Sequence, residues 1–354
     1  MSEYARFFAF VVFIIVLLTI FYNLKLEPNS RKPALFCPEQ TVASTKTSSK
    51  ETNKVQTSHH SKLVEDEDIV LNYDRKGYFS NKDKRTESIP FVTGDSFRFF
   101  AHYVFDDIEN TIPRDYNLKP KAIIFVKTDF LEQFFDGFFE NLKSKIILIS
   151  HNSDLGVTDI YLKYLNDDRM IVWFAQNTLI NHTKLIPIPI GFLNAHFSQK
   201  HNEKLLEIKN NGLKSWNDRN TLLYVNFDKN TNQYARANLF DEFQNIKGVR
   251  IMKERVTFSE YIRHINDSKF VLCPKGNGLD TKRLYETVLL GAIPVVESSF
   301  NNPIYENSTV LVLPKLNDLT QDMLINPQNY IKNMNFSKHI VYMNYWLKKL
   351  YSHI

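Results

Sequence analysis

Residues 270–297 read FVLCPKGNGLDTKRLYETVLLGAIPVVE, and this stretch decides the fold of the chain. It predicts a buried strand, a glycine-rich turn, a helix and a second buried strand. Pro274 ends the first strand because proline has no N–H to donate to a ladder, and Gly291 stops the helix. Open α/β folds use this unit to hold a phosphate-bearing ligand at the carboxyl end of a strand. We therefore expect a nucleotide-type ligand.

The turn and the first helical residues carry the candidate ligand contacts. Gly276 and Gly278 allow the backbone to turn sharply and to approach a ligand closely, while Asp280 or Thr281 can cap the helix. The free N–H groups and the dipole of a helix N-terminus favour an anion at this turn.

Arg283 and Glu286 fall on the helix side away from the apolar residues. An arginine in the first turn can fork onto a diphosphate, and a glutamate one turn later can accept hydrogen bonds from ribose or sugar hydroxyls. The plain alternative is a surface ion pair that contributes well under ~1 kcal/mol.

Taken together, these residues resemble the donor-binding signature of exostosin-type glycosyltransferases (family 47). The resemblance rests on the segments 274–278 and 291–296 with Arg283 and Glu286, and weaker similarities lie at 222–232 with Arg236 and at 186–191. Ala292 departs from the pattern, since the family has cysteine there. The resemblance implies a two-domain GT-B fold with the nucleotide-sugar site in the C-terminal lobe.

The resemblance also implies the donor site. A leaving diphosphate must be stabilised, and an enzyme without a metal does this with cations and a helix N-terminus. We expect a nucleotide-sugar donor, UDP-linked, with no cofactor and no required metal. The Asp66-Glu-Asp68 run has no preceding apolar strand, so we interpret it as a solvated charge run. The predicted donor-binding residues are Lys275, Gly276, Asn277, Gly278, Arg283, Glu286, Arg236 and Asn226.

An inverting transfer also needs a base for the acceptor hydroxyl, expected from the N-terminal lobe. The loop 150–156 directly follows a predicted buried strand, where open sheets place their ligands, and it offers His151 and Asp154 as catalytic candidates. Asn, Ser, Asp and Gly in such a loop are also ordinary turn residues. His196 is a further candidate.

The body of the chain alternates apolar runs with helical periodicity. Buried parallel strands are predicted near 122–126, 145–149, 170–174 and 185–190, and again near 222–226, 249–252, 270–273, 293–296 and 310–313. The predicted fold is α/β: GT-B, with two doubly wound Rossmann-like lobes facing across a cleft. The expected domains are a tail and anchor helix (1–27), a disordered stem (28–89), an acceptor-side lobe (90–191), a nucleotide-sugar lobe (192–335) and a C-terminal helix (336–354).

The N-terminal region predicts a membrane anchor. Phe7 to Tyr22 has no charge and would span roughly 24 Å as a helix, against a ~30 Å hydrocarbon core. A cleaved signal peptide is the alternative, although no small-x-small cleavage site follows. The polar stem cannot bury enough surface to offset its chain entropy. Anchor, stem and body together predict a single-pass type II protein of the Golgi or ER membrane, with the body in the lumen. Four N-x-Ser/Thr sequons fit a glycoprotein and lie at Asn181, Asn266, Asn307 and Asn335.

Composition limits the alternatives. The net charge of +5 is small for 354 residues, and its cations are interleaved with acids, which excludes a nucleic-acid-binding stripe. We expect a hexosyl- or pentosyltransferase that moves a sugar from a nucleotide sugar to a hydroxyl of a glycan or glycoprotein. A fucosyltransferase-like or other GT-B enzyme, or a catalytically inactive glycan-binding protein at the membrane, remains open.

Overall fold

The computed structural model describes residues 85–354. The predicted anchor at Phe7–Tyr22, nearly all of the predicted stem and the Asp66-Glu-Asp68 run lie outside the described residues. Within residues 85–354, no helix combines the length and the apolar character needed to cross a bilayer.

The first sheet consists of five parallel strands built from the apolar runs between residues 103 and 187. Its strand order follows the chain, β1-β2-β3-β4-β5, so every crossover runs in the same direction. The prediction that this lobe is doubly wound is therefore wrong, since no reversal of strand order occurs in it. The strands are Tyr103–Phe105 (β1), Ala122–Lys127 (β2), Ile146–His151 (β3), Met170–Ala175 (β4) and Leu185–Pro187 (β5), and the helices are Gly94–Phe100 (α1), Leu131–Gly137 (α2) and Leu162–Leu165 (α3).

The second sheet is doubly wound. Its order is β10-β9-β8-β6-β7, all parallel, so the order reverses between β6 and β8. The strands are Thr221–Asn226 (β6), Val249–Met252 (β7), Ser268–Leu272 (β8), Ile293–Glu297 (β9) and Leu311–Leu313 (β10), and the helices are Gln233–Arg236 (α5), Leu239–Phe243 (α6), Phe258–Asn266 (α7), Lys282–Leu289 (α8) and Gln321–Ile325 (α9).

Two further helices join the lobes. Helix Gln199–Asn210 (α4) follows the crossover from the first sheet, and helix Met343–Tyr351 (α10) closes the chain. Gly191, at the start of the crossover, has a φ of +66° and lies against the backbone of Val92. A side chain there would collide with the Val92 carbonyl oxygen, which explains the glycine.

Alternation along the strands divides the apolar residues among three cores. On β2, Ile124 faces an outer core with the phenylalanines of α2, while Phe125 faces a central core. On β8, Val271 faces the same central core and Phe270 faces the outer core of the second lobe. One continuous core therefore lies between the two sheets. The predicted α/β class is confirmed, and the two parallel five-stranded sheets fit a Rossmann-like GT-B fold.

Candidate active site

A cavity of about 790 Å³ opens at the carboxyl ends of β6 and β8, where the strand order of the second sheet reverses. Ligands of open α/β sheets bind at such reversal points because the crossovers on the two sides diverge there. Six of the predicted donor-binding residues line this cavity: Asn226, Gly276, Asn277, Gly278, Arg283 and Glu286.

Arg283 lies in the first turn of α8 and lines the cavity. Its guanidinium carbon is 5.8 Å from the centre of the Tyr261 ring, and its Nε atom is buried without a hydrogen-bond partner. A buried donor without an acceptor is costly. An anion bound in the cavity would supply the missing acceptor.

Glu286 differs from its predicted environment. It is buried, and it has no ion pair with Arg283; instead it accepts hydrogen bonds from Tyr261 Oη at 2.7 Å and from His201 Nε2 at 2.8 Å. Burial opposes its charge, but the His201 and Tyr261 hydrogen bonds outweigh burial and lower the pKa of Glu286. The helix side that looked solvent-facing in sequence is enclosed by α4 and α7, which bring in His201 and Tyr261. No sequence signal identified these two residues.

Arg236 does not line the cavity. Its three guanidinium nitrogens donate to the carbonyl oxygens of Asp228 (2.9 Å), Pro274 (3.0 Å) and Lys275 (2.8 Å). Burial lowers the pKa of this guanidinium to about 10. Each of its nitrogens already donates to a backbone carbonyl oxygen, and the contact of Arg236 with the donor stays a prediction. Its role is to hold the 274–276 backbone in place.

Lys275 also points away from the cavity. Its Nζ atom lies 3.2 Å from Glu297 Oε1 at the end of β9, and the side chain lines a separate small cavity. The Lys275 side chain is thus directed towards β9 in this structure, and its contact with the donor stays a prediction.

The two turn glycines, Gly276 and Gly278, line the cavity and also lie against side chains of the protein. Neither has a positive φ, so the turn does not need their conformational freedom. A Cβ atom on Gly278 would lie 2.6 Å from Nδ2 of Asn177 in the first lobe, and one on Gly276 would lie 3.3 Å from an Arg236 nitrogen. The glycines therefore allow close contact with neighbouring side chains.

The start of α8 is held to the first lobe. Thr281 occupies the N-cap position without a side-chain cap hydrogen bond. Asp280, which is buried, accepts from the backbone N–H groups of Thr281 and Ile190 and from the Tyr285 hydroxyl. Burial raises the pKa of Asp280 to about 6. Neither predicted cap therefore acts as one, because the Asp280 carboxylate is directed to the crossover at Ile190.

A second cavity of about 410 Å³ lies at the carboxyl edge of the first sheet. Asp154, Ile190 and Lys282 line both cavities. Asp154 is exposed, and its Oδ2 atom accepts a hydrogen bond of 3.1 Å from Asn277 Nδ2 across the cleft. The structure therefore places the predicted catalytic residue Asp154 where the two cavities meet.

His151 is not available as a base. Its Nδ1 atom accepts a hydrogen bond from the Asn152 backbone N–H at 2.7 Å, and its Nε2 atom lies 2.9 Å from the Pro189 carbonyl oxygen. Burial lowers its pKa to about 4. Both ring nitrogens are used inside the protein, so the predicted catalytic role of His151 is not supported by this geometry.

His196, the weaker candidate from sequence, has a buried acidic partner instead. Its Nδ1 atom lies 2.7 Å from Asp95 Oδ2, and the Asp95 side chain has no exposed surface. Asn152 Nδ2 donates to the other carboxylate oxygen at 3.0 Å. Because Asp95 lies about a hundred positions away in sequence, no local pattern connected it to His196.

A comparison with protein families matches a part of the chain that includes the second sheet. Residues 180–317 match the family model of the Exostosin GT47 domain. The match covers the second sheet, the crossover and all predicted donor-binding residues. It confirms the resemblance drawn from residues 270–297 and supports an exostosin-like family 47 glycosyltransferase. No curated protein matches the chain at a significant level.

The exostosin domain is a glycosyltransferase domain, so a nucleotide sugar and a glycan acceptor are its partners in general. The 790 Å³ cavity at the reversal of strand order lies inside it. Asp154 precedes the matched residues, as do most of the residues that line the second cavity. The residues of that cavity inside the match are Ile190, Phe192, Asn194, His196, Phe197 and Lys282.

Proposed function

We propose that this protein transfers a sugar from a nucleoside-diphosphate sugar to a hydroxyl of a glycan, with inversion at the anomeric carbon. The observation that carries the proposal is the buried Nε atom of Arg283, which has no partner in a cavity formed at the reversal of strand order. An anion held by the helix start and this guanidinium completes the missing hydrogen bond.

The donor binds with its diphosphate against Gly276, Gly278 and the N-terminus of α8. Arg283 and Lys282 balance the charge of the leaving diphosphate, a role that protein cations can fulfil without a metal ion. Glu286, fixed by His201 and Tyr261, lies one helical turn away from Arg283 and accepts hydrogen bonds from ribose hydroxyls. A UDP-linked sugar is the first donor to test.

The acceptor enters the second cavity. Its hydroxyl then meets the donor sugar at the wall formed by Asp154 and Lys282, which both cavities share. The predicted type II anchor would place this reaction in the Golgi or ER lumen, where glycan acceptors are exposed. This location remains a proposal, since the anchor lies outside the described residues.

The first test measures binding of UDP to the full-length chain by calorimetry. We expect Arg283→Ala to weaken binding at least ~100-fold, because a charge-assisted hydrogen bond to phosphate is lost from a desolvated site. Arg263→Ala is the matched control, because Arg263 is an exposed helix arginine on α7. Equal affinities for the wild type and Arg283→Ala would contradict the assignment.

A panel of nucleotide sugars distinguishes the alternatives. A ligand that binds only the folded state raises the melting temperature, so stabilisation by a GDP-linked sugar in preference to UDP sugars would favour a fucosyltransferase-like enzyme. Binding without turnover of any donor on glycan acceptors would favour an inactive glycan-binding protein.

A further inference from the structure

We propose that His196 is the general base of the transfer reaction and that Asp95 is the residue that positions it. This inference rests on the proposed function. His196 takes the role that the sequence suggested for His151, whose ring nitrogens both have partners inside the protein. Asp154, at the junction of the two cavities, is the competing candidate for the base.

The hydrogen bonds around His196 set its tautomer. Asp95 is acceptor-only as a carboxylate, so the 2.7 Å contact requires the proton on Nδ1. Arg85 Nη1 approaches Nε2 at 3.4 Å and can only donate, so Nε2 presents its lone pair. A neutral imidazole with its lone pair on the outer nitrogen and a carboxylate on the inner nitrogen is the arrangement of a general base.

Asp95 is fixed more tightly than a surface acid. Its backbone N–H donates to Asn194 Oδ1 at 3.0 Å, and Asn194 Nδ2 donates to Asn152 Oδ1 at 3.0 Å. Asn152 in turn donates to the Asp95 carboxylate. The buried carboxylate is therefore held by Asn152 and by His196, and Arg85 Nη1 lies 3.5 Å from its Oδ1 atom.

His196 faces the acceptor cavity, whose wall it forms, and its side chain is 24% exposed. The Phe197 ring packs 4.0 Å from the imidazole and supports it from the side. The Arg85 contact is long, and this guanidinium has its closer partner in Asp107 at 3.2 Å. An acceptor hydroxyl can therefore displace Arg85 from Nε2.

The acceptor oxygen forms a bond to the anomeric carbon of the donor while the bond from that carbon to the phosphate oxygen breaks. The bonding pair leaves with the nucleoside diphosphate, and the hydroxyl proton moves to Nε2 of His196. The resulting imidazolium stays hydrogen-bonded to the Asp95 carboxylate, which balances its charge.

The test compares turnover and donor affinity in the full-length chain. We expect His196→Gln to lower kcat by 10²–10⁴-fold with UDP affinity unchanged within about twofold. His182→Gln, at a histidine outside both cavities, is the matched control and should keep full turnover. Asp154→Asn is the competing arm. Loss of turnover in Asp154→Asn with His196→Gln unaffected would overturn the proposal and assign the base to Asp154.

Asp95→Asn tests positioning rather than contact. We expect kcat to fall and the acid limb of the kcat profile to move to lower pH, because the imidazole loses its anionic partner; a purely structural role would not move the limb. His196→Gln should abolish that limb. The other charged groups that line this cavity are Arg85, Asp107, Lys127, Asp154 and Lys282, and Arg85 Nη1 also lies 3.5 Å from Asp95 Oδ1.

The outcomes separate the two proposals. If the wild type binds neither UDP nor a nucleotide sugar, the proposed function fails. If it binds and transfers but His196→Gln and His196→Ala keep wild-type kcat, only the base assignment fails. If Asp95→Asn melts at a much lower temperature, its kcat no longer tests positioning. The base assignment is then decided by the kcat of His196→Gln and His196→Ala, because the His196 side chain lies at the cavity surface.

Discussion

At the scale of single residues, three arginines of the second lobe show how partners decide function. Arg219 donates to the carbonyl oxygens of Lys214, Ile265, Ser268 and Leu290, and Arg236 is likewise occupied by carbonyl groups. Burial lowers the pKa of both guanidinium groups to about 10. The Nε atoms of Arg219 and Arg283 are both buried without a hydrogen-bond partner, but of these three arginines only Arg283 lines the cavity. The first two arginines are structural, and the third is available to a ligand.

The buried His151 makes stability depend on pH. Its pKa falls from 6.5 to about 4 because burial disfavours the imidazolium. The unfolded chain therefore binds a proton that the folded chain does not bind between pH 6.5 and 4, and this contribution to stability is lost as the pH falls. We expect the wild type to lose about 2 kcal/mol through His151 between pH 7.5 and pH 5.0.

The measurement is urea unfolding of the wild type and His151→Gln at these two pH values. Asp280 acts in the opposite direction, because its pKa is raised to about 6 and acidification stabilises the fold through it. The difference between the two proteins cancels this contribution. A wild type and a variant with the same pH dependence would show that the pKa of His151 is the same in the folded and the unfolded state.

At the scale of elements, the glycine turn before α8 and the end of β4 are fitted to each other. Asn177, with a φ of +57°, accepts a hydrogen bond from the Leu279 N–H at 3.0 Å, and Gly278 has no room for a Cβ atom beside it. The turn is therefore positioned by the neighbouring lobe. We expect Gly278→Ala to weaken UDP binding about 10-fold, because either the turn or the Asn177 side chain must move.

A double-mutant cycle checks this fit. Asn177→Gly removes the obstructing side chain and tolerates the positive φ, so Gly278→Ala should cost less in that background, with a coupling of about 1 kcal/mol. Gly137→Ala, where a Cβ atom meets nothing within 4 Å, is the control and should bind UDP normally. Strictly additive effects would mean that Asn177 does not restrict the turn.

At the scale of the whole molecule, the central core couples the two lobes. It contains Phe125 and Phe174 from the first sheet, Val271 from the second, and Trp346 from α10. Trp346 is 1% exposed, and its indole N–H donates to the Ile340 carbonyl oxygen at 3.0 Å. Because both sheets pack against this core, we expect residues 85–354 to unfold in a single transition.

Trp346→Ala should lower the free energy of unfolding by about 3–5 kcal/mol, since it leaves a large cavity in the shared core. Circular dichroism and the fluorescence of Trp173 and Trp216, one in each lobe, should report the same shifted midpoint. Tyr234→Ala is the control, because Tyr234 is fully exposed. Separate transitions of the two lobes, or a change below 1 kcal/mol, would contradict a shared core.

The sequence by itself determined the elements and the chemistry of the donor turn. Apolar runs and helical periodicity are local, so they located nine of the ten strands in residues 85–354; the strand missed was β1 at Tyr103–Phe105. The 270–297 segment was sufficient to indicate the exostosin family, because phosphate binding needs glycines, a helix start and a cation within a few residues of one another.

Only the tertiary structure decided which side chains reach the cavities. Lys275 and Arg236 are close to the donor turn in sequence, yet one pairs with Glu297 and the other with backbone carbonyl groups. His201, Asn177 and Asp95 come from elements distant in sequence. Side-chain direction and long-range pairing follow from how the strands are ordered and how the sheets face each other, and neither property is encoded in local periodicity. The order of the first sheet, which follows the chain without reversal, was likewise decided by packing.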